Sequence, residues 1–493
     1  MLKKMFISNP REGLILFIKM TTTKKTKIVC TIGPATEKPE KLKALIEAGM
    51  NVMRLNFSHG DFAEHQGRID ALKKVQKDFE YPVAVLQDLG GPKIRIGKFK
   101  DGLTTLKEGA TFTITTEDIL GDENKVSINY PLFPKEVKVG EAVLLHDGKK
   151  KLEVLAIKGK EVKCKVIIGG EIKDRRGVNL PDSDLSVSAL TEKDMADLEF
   201  GVKNKVDFFA LSFVRKPEDI TQLRKILTEK GSDAGIIAKI ETPQAVANID
   251  QIIKLSDGLM VARGDLAIEV KAEDVPIIQK MIIKKCNCVG KPVITATQML
   301  ESMIHSPVPT RAEVSDIANA ILDGTDAIML SEETTLGEFP VEAVAVMTRV
   351  AQKIEGDYLH RELSMKRKYE NTPDGIAESI TNEAADVADN VEAKKIVVLT
   401  DSGYTARMVS RLKPVQPILA LTPNVRTYRK MALTSGVSPV LIKKFKSLTE
   451  VLDLVRARLL KSNKAVKGDT VVVVAGMPFG KSIATNMVLV ETI

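Results

Sequence analysis

The sequence predicts an α/β protein: a (β/α)8 TIM barrel interrupted by an inserted small β-barrel domain, then a C-terminal open-sheet α/β domain. Three patterns predict it. From Lys27 onward, short continuous apolar runs alternate with longer amphipathic stretches. The alternation stops between Gly97 and Arg176, where Thr, Val, Lys and Gly dominate, and a second strand–helix alternation begins after Gly356. At 493 residues the chain exceeds one ordinary core, so several domains are expected.

The barrel strands are expected at 28–32, 51–56, 83–88, 206–212, 236–240, 258–262, 292–296 and 327–330, because strands buried on both faces read as unbroken apolar runs. Between them, stretches such as 38–48 and 216–230 repeat apolar residues every three or four positions, as helices do. The alternating segments Thr111-Phe-Thr-Ile-Thr-Thr and Glu161-Val-Lys-Cys-Lys-Val-Ile-Ile, punctuated by Asp147-Gly148 and Gly169-Gly170, place an all-β insertion after the third strand. Strands at 395–400, 417–422, 438–442 and 469–475 build the final sheet. The resulting division is 1–20 as an extension, 21–96 with 177–355 as the barrel, 97–176 as the insertion and 356–493 as the last domain.

Composition excludes several classes. Hydrophobic residues make up 44% and charged residues 28%, as in a globular protein. Trp is absent and aromatics are 4%, too few for stacking platforms on single-stranded nucleic acid. The net charge of +8 suits anionic ligands, but it is spread without long basic blocks, so no nucleic acid partner is expected. Four cysteines make no disulfide framework, and Cys286-x-Cys288 lacks a second ligand pair, which points to a reducing cytoplasm. The apolar stretch Leu14–Ile18 is too short to span a bilayer, so no membrane partner is expected; Met1–Lys19 reads as an upstream extension with Met20 as the start, a weak targeting role being the alternative.

The chemistry gathers at the C-terminal ends of the barrel strands, where such barrels keep their active sites. Strand two delivers Arg54, Asn56 and Ser58, with His59 beyond; strand three delivers Asp88, then Lys93 and Arg95. Strand four ends at Ser212, strand five carries Lys239 and Glu241, strand six ends at Gly264-Asp265, and strand seven ends at Thr297. Glu241 and Asp265 lie on adjacent strands, so they can share a hard cation, and all-oxygen ligands favour Mg²⁺ or Mn²⁺ over zinc. Lys239 faces the same way as Glu241, two residues on, where an ammonium suits charge building up on a transferring phosphoryl group. A buried ion network that merely closes the barrel would use the same residue types one at a time, but not a convergence of this many at one mouth.

Lys27-Ile-Val-Cys-Thr-Ile-Gly-Pro-Ala, Arg54-Leu-Asn-Phe-Ser-His-Gly, Ile237-Ala-Lys-Ile-Glu and Val261-Ala-Arg-Gly-Asp-Leu resemble the pyruvate kinase family. So do Ala296-Thr-Gln-Met-Leu-Glu-Ser-Met and Pro309-Thr-Arg-Ala-Glu-Val-Ser-Asp-Ile-Ala-Asn-Ala, and the likeness is collinear from Lys24 to the C-terminus. The resemblance implies phosphoryl transfer from phosphoenolpyruvate to ADP, giving pyruvate and ATP, in a cytoplasmic homotetramer. It implies that Lys239 stabilises the transition state, that Glu241 and Asp265 hold the metal, and that Arg54 and Arg95 bind the phosphoryl group. Gly264 would touch the substrate carboxylate through its backbone, and Thr297 would lie near the protonated carbon, relaying a proton through water. Asn56, Ser58, His59 and Arg95 would lie near the nucleotide phosphates. Arg176 stands where the family has a nucleotide-binding Lys, with a different donor geometry.

Two departures stand out. Many members have Asp-Thr-Lys-Gly-Pro-Glu-Ile-Arg, whose Glu and Thr belong to a K⁺ site; here the segment is Asp88-Leu89-Gly90-Gly91-Pro92-Lys93-Ile94-Arg95. Lys93 would supply covalently the charge that K⁺ brings to Asn56, Ser58, Asp88 and Leu89, so activity without K⁺ is expected. Ser331-Glu332-Glu333-Thr334 carries Glu where Gly is common, with no functional account.

In the last domain Thr400-Asp-Ser402-Gly403-Tyr-Thr405 follows a strand and opens a helix. The family places an effector phosphate here, so a sugar-phosphate or nucleotide activator is expected, although helix capping uses the same residues. Gly476-Met-Pro-Phe-Gly480-Lys481-Ser482 has three residues between its glycines where a P-loop needs four, so it reads as a wall of that site or a plain turn. Two rival readings are a Mg²⁺-dependent aldolase or lyase acting on a pyruvate enolate, and a non-catalytic basic binding protein.

Overall fold

The computed structural model describes residues 24–357, 375–444, 447–461, 466–478 and 484–493. The extension 1–20 and residues 479–483 of the glycine-rich loop lie outside the described residues.

Eight parallel strands close a barrel: Lys27–Thr31, Val52–Asn56, Ala84–Asp88, Phe208–Leu211, Gly235–Ile240, Gly258–Ala262, Val293–Ala296 and Ala327–Leu330. The first pairs with the last through Lys27 and Ala327, which seals the ring. Strand residues alternate between two cores. Ile28, Cys30 and Met53 face the outer helices, whereas Val29, Val52, Leu86, Ala210 and Ile237 fill the barrel interior. Ala432 and Leu433 of the C-terminal domain join that interior and plug its base.

The third and fourth barrel strands pair directly, so the whole insertion is a detour between neighbours. It folds as a six-stranded sheet and a two-stranded ribbon around a core of its own. Glu161–Ile168 alternates exposed and buried residues, as a sheet with one wet face must. Register shifts between its neighbour Lys150–Lys158 and itself bend the sheet, which curls around the core. His146, Asp147 and Gly148 turn the 142–145 and 150–158 hairpin with φ of 52°, 56° and 76°.

The C-terminal sheet has five strands, covered on both faces by apolar clusters. Four were expected. The fifth, Met487–Thr492, pairs antiparallel with Thr470–Ala475 at the sheet edge. Among the described residues no helix is long and apolar enough to cross a membrane. All four thiols are free, with Cys30, Cys164 and Cys286 buried and Cys288 half-buried in the helix Val275–Cys288.

Candidate active site

The interior alternation that is apolar low in the barrel becomes polar at its mouth. Two residues beyond Val29 is Thr31; beyond Val52 is Arg54; beyond Leu86 is Asp88; beyond Ala210 is Ser212; beyond Ile237 is Lys239, then Glu241. Register sets these side by side, with Thr31 opposite Arg54 and Asn56 opposite Asp88.

Contacts link them into one network. Arg54 Nε donates to Asp88 Oδ2 at 2.7 Å, and Arg54 Nη1 donates to Thr31 Oγ1 at 2.7 Å. Lys239 Nζ lies 2.8 Å from Glu241 Oε1 and 3.3 Å from Asp88 Oδ1, and it donates to Ser212 Oγ at 2.7 Å. The other Glu241 oxygen accepts from the Phe213 N–H at 2.7 Å. Phe213 adopts φ 53°, and Gly91 lies so close that a Cβ there would meet its ring at 2.8 Å. Asp88 and Glu241 are each only 1% exposed.

Burial opposes the Lys239 charge, but Asp88, Glu241 and Asp265 outweigh it and hold the ammonium above the ordinary lysine range. Asp88 is pushed up by burial and pulled further down by Lys239 and Arg54, so it stays below the usual carboxylate range. Glu241 is raised, chiefly by burial, with Lys239 pulling down and the Asp265 charge adding to the rise. Two neighbouring carboxylates, one of them strained toward the neutral form, fit a divalent cation. Among the described residues no group of three or more His, Cys, Asp or Glu could hold one alone. A cation shared by Glu241 and Asp265 would take further oxygen ligands from outside that residue set.

Gly264 and Asp265 open the short helix Arg263–Glu269 after the sixth strand. The Gly264 N–H donates to Thr297 Oγ1 at 2.8 Å, and that hydroxyl donates to the Ala296 carbonyl at 2.6 Å. Thr297 and Gln298 hold φ of 71° and 54°, an uncommon conformation for side chains other than glycine. Arg263 fastens the loop: its guanidinium donates to the carbonyls of Ala296 at 3.2 Å and Thr297 at 2.7 Å and is itself held by Asp316 at 2.7 Å. Arg263 stands within Val261-Ala-Arg-Gly-Asp-Leu, yet only the three-dimensional contacts reveal that it fastens the Thr297 loop.

Lys93 is half-buried and lines the cleft beside Arg95 and Asp265. Burial, then Arg95 and Lys239, hold its pKa below the ordinary value. Asn56 accepts the Ser58 N–H at 3.1 Å. The Leu89 side chain packs in the outer core, and its carbonyl accepts from Ser212 Oγ at 2.8 Å. His59 is exposed at the rim, its pKa lowered by partial burial and then by Lys93, Arg95 and Arg54. Glu332 is exposed, and its charge acts on His59 from across the rim. Arg95 and Arg176 line the cleft between the insertion and the mouth, together with Asp265 and Lys93. The buried Arg176 Nε has no hydrogen-bond partner.

The Thr400–Thr405 segment lies in the other domain. Thr400 Oγ1 accepts the Gly403 N–H at 2.9 Å, Ser402 Oγ accepts the Tyr404 N–H at 3.4 Å, and Thr405 Oγ1 pairs with Thr485 Oγ1 at 2.7 Å. Gly403 turns the chain at φ 80°. Thr400 and Ser402 thus have local backbone partners, while Thr405 reaches Thr485, 80 positions along the chain.

Comparison with known proteins fits this geometry. The pyruvate kinase barrel-domain family matches residues 23–344, and the pyruvate kinase alpha/beta-domain family matches residues 378–491. A pyruvate kinase of Clostridium acetobutylicum is 47% identical over 95% of this chain and 99% of its own length. One from Thermotoga maritima is 45% identical over 95% and 99%. A solved pyruvate kinase from Cryptosporidium parvum superposes with a TM-score of 0.91 at 38% identity, covering 96% of each chain. With both domain families matched in order and relatives alike from end to end, the chain belongs to the pyruvate kinase family.

Proposed function

We propose that the chain moves the phosphoryl group of phosphoenolpyruvate to ADP, giving pyruvate and ATP, at the barrel mouth. The observation that carries the reading is the placement of the Lys239 ammonium, 2.8 Å from Glu241 and 3.3 Å from Asp88, among residues that also include Arg54 and Asp265. Glu241 and Asp265 would hold Mg²⁺ or Mn²⁺, which supplies charge neutralisation at the reacting oxygens. Arg54 and Arg95 bind and orient the phosphoryl group, and Lys239 stabilises the charge that develops as it transfers. The Gly264 backbone and Asp265 hold the substrate. Thr297 positions the water that brings a proton to carbon, since its own hydrogen is engaged by the Ala296 carbonyl. Asn56, Ser58, His59, Arg95 and Arg176 take the nucleotide phosphates. The place of Arg176 in the lining of the cleft, beside Arg95, Lys93 and Asp265, supports that assignment.

In this reading residues 21–96 and 177–355 are the catalytic barrel, 97–176 a lid that keeps water from the phosphoryl group, and 356–493 an effector and assembly domain. The Lys93 ammonium stands in for K⁺ beside Asn56, Ser58, Asp88 and Leu89. A sugar-phosphate or nucleotide activator at Thr400, Ser402, Gly403 and Thr405, a homotetramer and a cytoplasmic setting complete it, on the strength of the family likeness and the free thiols.

The test is pyruvate formation from phosphoenolpyruvate, ADP and Mg²⁺, with and without K⁺, beside a Lys239→Met control. ADP-dependent turnover that the control and EDTA both abolish is the expected result. No turnover in either salt, with a panel of sugar phosphates added, would overturn the reading.

A further inference from the structure

The insertion joins the barrel through a narrow neck in which the outgoing and returning chains pair. Arg95 bridges to Gly177, the Ile96 N–H donates to the Arg176 carbonyl at 3.0 Å, and the Val178 N–H donates to the Ile94 carbonyl at 2.9 Å. Val178–Asn179 then pairs with Ala142–Leu145, so the neck is continuous with the six-stranded sheet. Any swing of that sheet carries Asn179 with it.

Asn179 also reaches the barrel. Its Nδ2 donates to Glu269 Oε1 at 2.7 Å. Glu269 is the last residue of Arg263–Glu269, the helix whose first turn carries Gly264 and Asp265. The preceding residue, Ile268, lies beneath the hairpin tip: a Cβ added to Gly148 would come within 3.5 Å of its Cγ2. One short helix therefore presents the substrate and metal groups at one end and receives the insertion at the other.

Helix stability does not account for Glu269. A carboxylate at the negative end of a helix is unfavourable, and burial pushes this one up to about 7. Asn179 and Arg215 pull against that rise, while Asp265 and Glu241 add to it. Its hydrogen-bonded partner, Asn179, belongs to the neck.

We propose that Glu269 is a positioning residue for phosphoryl transfer: its bond to Asn179 latches the neck against the helix that bears Gly264 and Asp265, and so sets where Arg95 and Arg176 stand over the mouth. The inference rests on the kinase reading above. Its effect falls on the nucleotide, because Arg176 lies three residues before Asn179 on the same strand of the neck.

Steady-state kinetics of the full chain test it, with ADP and phosphoenolpyruvate varied in turn for Glu269→Ala, Asn179→Ala, the double variant and Glu269→Gln. Each single Ala change should raise the KM for ADP by about tenfold, with a smaller change in the KM for phosphoenolpyruvate. The double variant should be no worse than either single one, because both remove the same bond. Glu269→Gln keeps an acceptor for Asn179 and should restore the ADP value. Hydrogen exchange at the amides of 146–149 and 177–180, without substrate, should quicken in both Ala variants. Unchanged KM and exchange, additive losses, or a loss of kcat with melting temperature that Gln does not rescue would each overturn the latch. An inactive wild type with quickened exchange in the variants would keep the latch and reject the kinase reading instead.

Discussion

Both ends of the barrel bury charge, and they use it for different ends. At the base, Asp326 accepts Lys413 Nζ at 2.8 Å and also the N–H groups of Ser435 and Val293, each at 3.2 Å. Asp207 pairs with Arg429 Nε at 2.9 Å and accepts the Val85 N–H at 2.8 Å, and Lys27 Nζ donates to the Val437 carbonyl at 2.7 Å. Every one of these charges meets a group from the C-terminal domain, beside the plug of Ala432 and Leu433. At the mouth, Lys239 meets Glu241 at a similar 2.8 Å, yet Asp265 has no ion pair among the described residues, and it lines the cleft with Arg176. Distance does not separate the two sets. What separates them is what they face: the base charges meet groups of the C-terminal domain, whereas Lys93, Arg95, Arg176 and Asp265 line the cleft beneath the insertion.

The largest expected effect tests the mouth. Lys239→Met should lower kcat by about 10⁴-fold in enzyme that still folds, as circular dichroism checks. A variant that keeps its rate would dissolve the contrast. Next, Lys413→Met at the base should cost about 3–4 kcal/mol in denaturant unfolding, because Asp326 is left buried and unpaired, with kcat of the folded enzyme nearly intact. Adding Asp326→Asn should recover part of that stability. Lost turnover at full stability would mean that the base does more than dock. Thr297→Ala should slow kcat by about 100-fold with little change in the KM for phosphoenolpyruvate, and Thr297→Ser should restore most of it. The smallest effect concerns Lys93: replacing K⁺ by Na⁺ or Tris should change turnover by less than about twofold, under about 0.5 kcal/mol in barrier height. Strong stimulation by K⁺ would remove Lys93 from the role given to it.

Much of the fold was legible because strands buried on both faces announce themselves as apolar runs. All eight barrel strands form where those runs lie, the second, third, fourth and seventh starting later than expected. Val206 and Asp207 precede the fourth strand, where the Asp207 carboxylate accepts the Val85 N–H. Pro292, which has no N–H, precedes the seventh. The edge strand Met487–Thr492 escaped notice because it is only half-covered, with exposed and intermediate residues throughout. At the site, strand-end residues could be picked out one by one, but their partners could not. Ser212 reads as an ordinary strand-end serine until it is found between Lys239, Asp88 and the Leu89 carbonyl. Glu269 reads as a surface helix residue until Asn179, 90 positions away, is found against it.

The sequence by itself determined the order of elements, the interruption after the third strand and the polar character of the strand ends, since these depend on side-chain periodicity within one segment. Only the tertiary structure decided which charges meet. Arg54 reaches Asp88, and Lys413 reaches Asp326, through strand register, barrel closure and domain docking, which bring together residues 34 and 87 positions apart. Each ionisable group then acquires its working state from that surrounding, because burial and neighbouring charge, rather than residue type, set whether it stays charged and what it can hold.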